Sequence, residues 1–195
     1  MQPLKRRKFL GCSAAAGVAL LGGGFALLPR GAAPAQTNLA AARELLAGLR
    51  GRELISLRGW SPTGVFNHCA QSVEYSLEGY PQLKPGWFRL SLGPAAFAVF
   101  GLRGAMRHSL DEPIPGAASL IEPATLAGAL QRLEDAFARF AEHRGSLAPH
   151  FAYGALDHAE YAQAHVLHLY EHLSLIRPRG DHAAALSADI QSLRG

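Results

Sequence analysis

The sequence predicts an all-α fold, a four-helix bundle with an extra helical excursion between the second and third bundle helices. Apolar residues recur at spacings of three and four in several long stretches, each bounded by residues that begin or end helices. No stretch alternates apolar and polar residues as a half-buried strand does. The chain has 195 residues, 49% of them hydrophobic, which suffices for one domain core and a leader.

Four bundle helices are expected, at residues 38–49, 61–78, 123–143 and 157–177. The first has good helix-forming residues and apolar residues at helical spacing. The second has a clear start, because Ser61 suits the N-cap and Pro62 suits the first helical position. Gly79 and Pro81 stop it.

The third and fourth bundle helices have equally clear signals. Leucine and phenylalanine recur at threes and fours from Leu126 to Phe140, the most regular amphipathic pattern in the chain. Asp157, with Glu160 three residues later, forms a capping pair that opens the fourth helix. Pro178 is expected to close that helix.

The excursion lies between the second and third bundle helices. Residues 87–106 are apolar enough for another helix, which the pair Gly93 and Pro94 is expected to restart. Residues 111–117 contain two prolines and a glycine, which prevent both a regular helix and a regular strand there. The segment is therefore expected to be partly helical and partly irregular.

The N-terminus resembles a twin-arginine export signal. Arg6 and Arg7 precede an uncharged run at residues 9–28, and residues 33–35 read Ala-Pro-Ala, a small-residue cleavage pattern. This predicts a signal peptide at 1–35, a bundle at 36–178 and a C-terminal tail at 179–195. The alternative is an uncleaved leader that anchors the protein in the membrane, since twenty apolar residues can span a bilayer.

The positive charge of the chain belongs to this leader. The formal net charge is +4, but five of the 19 basic residues and none of the 15 acidic residues precede residue 36. The remainder has 14 basic and 15 acidic residues, which argues against nucleic-acid binding.

The cysteines exclude an internal disulfide in the mature protein. Cys12 lies in the leader, so Cys69 alone would remain after cleavage. The Cys69 thiol directly follows His68 and is either a soft metal ligand, a reactive group or a small buried apolar side chain.

A stripe of histidines on the last helix is the strongest chemical signal. At about 100° per residue, His165, His168 and His172 fall within an arc of about 60°. The spacing of His168 and His172 by four residues allows both imidazoles to bind one metal ion. A third ligand must come from another part of the chain, and spacing alone does not choose among His68, His108, His143 and His150. The alternative to a metal site is that His168 and His172 are solvated or form ordinary hydrogen bonds.

Other bundle chemistries find less support in the sequence. A carboxylate-bridged di-iron centre needs Glu-x-x-His on two helices, and no glutamate here has a histidine three residues later. The metalloprotease motif, the phosphate-binding loop, Cys-x-x-Cys and the nucleophile elbow are also absent from the sequence. Haem ligation by two histidines stays open.

Several stretches resemble the DinB/YfiT-like superfamily of four-helix-bundle metalloenzymes, in a branch described as a domain of unknown function. They are HFAYGAL at 150–156, Tyr161, HVLHLYEHL at 165–173, NHCAQS at 67–72, EYS at 74–76 and LDEPIPGA at 110–117. The resemblance implies one metal ion held by His68, His168 and His172. His165 would then orient a ligand rather than bind the metal. The chain departs from the wider superfamily after His172, where Leu173 starts an apolar stretch in place of the frequent glutamine.

The resemblance implies an exported metal-dependent enzyme, a transferase or hydrolase whose three-histidine metal activates a water or a thiol. Zinc, nickel, iron and manganese fit such a site, and a low-molecular-weight thiol would be a second cofactor. Tyr75, Glu171, His165 and Gln71 are candidates for proton transfer or ligand orientation. The alternative is a non-catalytic bundle that binds a metal or a small ligand.

Expected partners are the twin-arginine export machinery and a small-molecule substrate, and a homodimer is left open. The expected location is the periplasm, or the inner membrane if the leader stays attached.

Overall fold

The computed structural model describes residues 38–120 and 123–179. Both the predicted leader and residues 180–195 of the predicted tail lie outside the described residues. The described elements, numbered here in chain order, are α1 (Leu39–Ala47), β1 (Leu54–Ser56), α2 (Pro62–Glu78), α3 (Gly86–Leu90), α4 (Leu92–Arg103), α5 (Leu126–Glu142), α6 (His158–Leu173) and β2 (Ile176–Pro178). The predicted all-α class is confirmed, with α1, α2, α5 and α6 as the bundle and α3 and α4 as the excursion.

Helices α2 and α5 pack against each other along their length. The α5 residues that face the core recur at threes and fours, and Leu133, Phe137 and Phe140 are fully buried. At the edge of this contact, Arg132 of α5 donates to both carboxylate oxygens of Glu74 on α2, at 2.9 and 2.7 Å. The bidentate pair fixes the rotation of α5 against α2.

Local capping sets the ends of α2 and α6 where the sequence predicts them. The Ser61 hydroxyl accepts the Gly64 amide, and Gly79 ends α2 with a φ of 106°. At the start of α6, the Asp157 side chain accepts the Glu160 amide while the Glu160 side chain accepts the Asp157 amide. These caps hold the two helices that carry the predicted metal ligands.

A two-stranded antiparallel sheet is the feature that the sequence did not predict. Strand β1 pairs with β2 in the register Leu54 to Pro178 and Ser56 to Ile176. The last helix accordingly ends at Leu173, earlier than the expected stop at Pro178, because residues after it pair with β1. Each strand has three residues, which is too short for alternation to be visible in the sequence.

The excursion restarts one residue before the predicted pair Gly93 and Pro94. Helix α4 begins at Leu92, which puts Gly93 and Pro94 in its first turn. Proline is tolerated there because backbone amides of the first turn have no acceptor within the helix. Gly93 lies so close to the backbone of Ala152 that a Cβ there would be 1.9 Å from the Ala152 carbonyl oxygen. This close contact holds α4 against the loop that precedes α6.

Buried amides on α2 hold the end of the excursion. The Asn67 side chain donates to the carbonyls of Leu120 and Pro123 at 3.1 and 3.0 Å, and Gln71 donates to Ala118 at 3.1 Å. The excursion is therefore tied down beside the α2 histidine. Within the described ranges, the helices are too short or too polar to span a bilayer.

Candidate metal centre

Three histidines from two helices meet inside the bundle. His68 projects from the middle of α2, and His168 and His172 project from one face of α6. The Nε2 atoms of His68 and His168 are 3.1 Å apart, and those of His168 and His172 are also 3.1 Å apart. All three donor atoms lie within 4.8 Å of one another. The structure thus brings together the three histidines to which the resemblance points.

Hydrogen bonding alone does not satisfy this arrangement. A neutral imidazole nitrogen carries either one hydrogen or one lone pair, so the His168 Nε2 can complete one good bond and not two. A metal ion would satisfy all three nitrogens together. With metal to nitrogen distances of about 2.0–2.1 Å, ligand nitrogens lie about 2.8–3.4 Å apart for right-angled to tetrahedral arrangements. The observed 3.1 Å separations fit such an ion.

Burial keeps these imidazoles in the neutral form that binds metals. His68 and His172 are buried, while His168 is partly exposed. Burial, reinforced by the nearby His108, lowers the pKa of His68 to about 4. The same causes, with His68 in addition, lower the pKa of His172 to about 2. Burial and the neighbouring histidines hold the pKa of His168 well below its usual value. The donor set is therefore ready for a divalent cation at neutral pH.

Two further side chains enclose the three histidines. The Trp60 ring lies parallel to the His172 ring, with centroids 6.2 Å apart, and 4.8 Å from the His68 centroid. On the excursion, the His108 ring lies 5.0 Å from that of His168 and 5.1 Å from that of His172. The Nδ1 of His108 is 2.6 Å from the Ser109 carbonyl oxygen, so Nδ1 donates a hydrogen bond to it.

A cavity of about 240 Å³ reaches the histidines. His68, His168 and His108 contribute to its wall, together with apolar side chains that include Met106 and Ile114. Lys84 and Glu112 place one positive and one negative group on the same wall. The cavity gives a small molecule access to His68 and His168.

A comparison with protein families decides the membership of the chain. Residues 35–179 match the family described as "Protein of unknown function (DUF1569)". The chain belongs to the DUF1569 family. The comparisons with curated proteins and with solved structures give no match.

In this DUF1569 protein the other candidate ligands have different partners. His143 caps the end of α5 and lies 3.2 Å from the Ser146 carbonyl. His150 accepts the amides of Ala152 and Tyr153 through Nδ1, each at 3.1 Å. His108 stands next to the ligand set but outside the three converging nitrogens. Of the four candidates that spacing left open, the geometry selects His68.

The candidate residues for proton transfer separate into two groups. His165 lines the cavity, and its Nε2 lies 3.1 Å from the Ser76 hydroxyl, away from the three converging nitrogens. Tyr75 packs against Tyr80 with ring centroids 5.7 Å apart, and neither Tyr75 nor Glu171 lines the cavity. His165 alone of the three predicted catalytic candidates therefore borders the space beside the histidines.

Three further residues, Cys69, Trp60 and Gln71, have structural roles near the site. Cys69 is buried in the core, where burial raises the pKa of its thiol, so it behaves as a small apolar side chain. Trp60 was not predicted, although its place directly before the N-cap Ser61 is the position from which a side chain folds back over a helix. Gln71 anchors the excursion through Ala118.

Proposed function

We propose that this DUF1569 protein is an exported metal-dependent enzyme of the DinB-like type, with one divalent ion held by His68, His168 and His172. The observation that carries the proposal is the convergence of three neutral imidazole nitrogens, two pairs of them 3.1 Å apart. Such a donor set suits zinc, nickel, iron or manganese.

The proposed reaction is group transfer or hydrolysis through a water or a thiol. Three protein ligands leave at least one coordination position open, where an ion lowers the pKa of a bound water or thiol or polarises a carbonyl. The protein supplies the pocket for this chemistry. The cavity shapes the approach to His168, and Trp60 covers the side of His68 and His172.

Export rests on the leader sequence. The paired Arg6 and Arg7, the uncharged run and the Ala-Pro-Ala pattern support transport by the twin-arginine route, which carries folded proteins. A buried metal centre suits that route, because the ion can be inserted before transport. The proposed location is the periplasm, with inner-membrane attachment if the leader is retained.

A non-catalytic metal-binding bundle is the second candidate function. Ligand histidines in metal sites usually donate their other ring nitrogen to a carboxylate or carbonyl. Within the described ranges, the buried Nδ1 atoms of His68 and His172 have no hydrogen-bond partner. The two rings thus lack the hydrogen bond that raises ligand basicity, and the binding role does not require a metal tuned in that way for reaction.

Metal analysis of the purified full chain tests the proposal. We expect about one divalent ion per chain after expression in metal-replete medium, because three converging ligands define one site. His168→Ala should lose the ion, since it removes the nitrogen shared by both short contacts. His143→Ala is the matched control, because its ring contacts the Ser146 carbonyl after α5 rather than the three histidines, and it should keep the ion.

The result also separates the two functions. Absence of metal from both the wild type and His168→Ala would exclude a metal centre of either kind. In cobalt-loaded protein, a small thiol should change the absorption spectrum if a coordination position is open to it. An unchanged spectrum would contradict the thiol-activating enzyme and leave either water activation or the binding role.

A further inference from the structure

An apolar patch is concentrated on the excursion. Among the described residues, seven large apolar side chains are exposed, and six of them lie between residues 83 and 102. We call this set the excursion patch: Leu83, Trp87, Leu90, Leu92, Val99 and Leu102. The exposed fraction reaches 65% for Trp87 and 86% for Leu90. A clustered apolar surface of this kind marks an interaction site.

On α4 the patch residues lie on one face, opposite the face that packs on the domain. At about 100° per residue, Leu92, Val99 and Leu102 fall within an arc of about 80° on α4. Phe97 lies about 140° or more from them, is buried, and stacks on Tyr153 with centroids 5.3 Å apart. The outward orientation of the patch is therefore set by tight packing on its other side.

The sequence of the excursion carries charged side chains of one sign. Residues 79–110 contain four basic residues and no aspartate or glutamate: Lys84, Arg89, Arg103 and Arg107. Among the described residues, none of the four forms an ion pair. Lys84, Arg103 and Arg107 are exposed. The excursion thus combines an apolar face with basic flanks.

We propose that the excursion patch docks on the surface of a bilayer that contains anionic phospholipids. Apolar side chains that include a tryptophan, flanked by lysine and arginine, fit the boundary between headgroups and acyl chains. Anionic headgroups would complement the four cations. A second copy of the chain fits less well, because a two-fold contact through this patch would bring the cations of both copies together.

The docking surface borders the cavity. Lys84 and Met106, which precede and follow the two excursion helices, both contribute to the cavity wall. Lys84 thus belongs both to the basic flanks of the excursion and to the cavity wall. The inference does not depend on the metal, since the excursion patch and its charges do not include the three ligands.

Fluorescence quenching of Trp87 tests the docking. The full chain is mixed with vesicles of phosphatidylglycerol and phosphatidylcholine whose acyl chains carry bromine. We expect roughly half of the Trp87 emission to be lost, as for a side chain at the headgroup boundary. Trp87→Phe identifies that emission, because the chain has two tryptophans. Vesicles of phosphatidylcholine alone, or high salt, should reduce the quenching severalfold.

The leader is present in every variant, so vesicle binding through the leader does not mimic the result. Leu90→Glu combined with Leu102→Glu should abolish the quenching, while Leu57→Glu should retain it. Leu57 is a matched control because it is 57% exposed and lies outside the excursion patch. Thermal melting checks that each variant is folded.

Unquenched Trp87 emission with anionic vesicles would overturn the proposal, and so would equal quenching in the double glutamate variant. A lipid-free dimer that the double variant abolishes, seen by sedimentation while Trp87 stays unquenched, would assign the patch to self-association instead. If the double variant fails to fold, Arg103→Glu combined with Arg107→Glu replaces it, because both side chains are exposed. Undiminished quenching in that variant would overturn the proposal.

Discussion

His150 is a buried imidazole that links protonation to folding. Its Nδ1 accepts the amides of Ala152 and Tyr153, and its ring stacks on Tyr153 with centroids 4.2 Å apart. Burial, reinforced by His165, lowers the pKa of His150 from 6.5 to about 3. Between pH 6.5 and about 3, His150 is therefore mostly protonated in the unfolded chain and mostly neutral in the folded protein. Stability from this group is complete above pH 6.5 and declines as the pH falls toward 3.

Replacement of His150 by asparagine should weaken this pH dependence. The Asn side-chain oxygen can accept the same two amides but does not titrate. In chelator-treated protein, the wild type should lose about 1 kcal/mol more than His150→Asn between pH 7.5 and 5.5. Urea denaturation at the two pH values measures this. The variant is expected to be less stable overall because it loses the ring contact, so the comparison is of the change with pH. An equal change in both proteins would contradict the prediction.

The metal-ligating candidates show which residue contacts a sequence can reveal. The His168 and His172 pair follows from helical periodicity, because four residues make about one turn. The contact of His68 with this pair does not follow from periodicity, because a contact across 100 residues depends on how α2 packs on α6. The family resemblance supplied what spacing could not. The contact of the Trp60 ring with His68 and His172 depends on the same packing, and the sequence did not predict it.

Gly93 shows how an element is positioned by a close backbone contact. A glycine inside a helix is normally a weakness, and alanine would improve helix propensity by about 1 kcal/mol. At this position a Cβ would lie 1.9 Å from the carbonyl oxygen of Ala152. A backbone carbonyl has little room to move, so the steric cost outweighs the gain in propensity.

Gly93→Ala should therefore destabilise the protein by about 1–3 kcal/mol in urea denaturation. Gly86→Ala is the matched control, because a Cβ at this helical glycine of α3 meets no atom within 4 Å. The control should stay within about 0.5 kcal/mol of the wild type. If both variants have wild-type stability, α4 is not held by this contact.

The elements differ in how well the sequence predicts them. Capping residues are local signals, so the start of α2 at Pro62 and of α6 at His158 followed from the sequence. The pairing of β1 with β2 is a long-range contact between two three-residue segments, which leaves no periodic signal. The restart of α4 depended on where Gly93 could approach Ala152, a fact of packing rather than of propensity.

At the scale of the whole molecule, a bound ion would join two distant parts of the chain. His68 and His168 are 100 residues apart in sequence, and they lie on the two helices whose caps are both well defined. The unfolded chain does not present three imidazoles at one point. The binding free energy therefore adds to the stability of the folded state.

Zinc should raise the melting temperature of chelator-treated full-length protein. With free zinc at a hundredfold excess over its Kd, mass action gives about 2.7 kcal/mol of added stability. For a chain of this size that corresponds to a shift of about 5–10 °C. His168→Ala should show little shift, and His143→Ala should match the wild type. An equal rise in His168→Ala would mean that zinc binds elsewhere, whereas no rise in any protein would remove the metal centre as a link between α2 and α6.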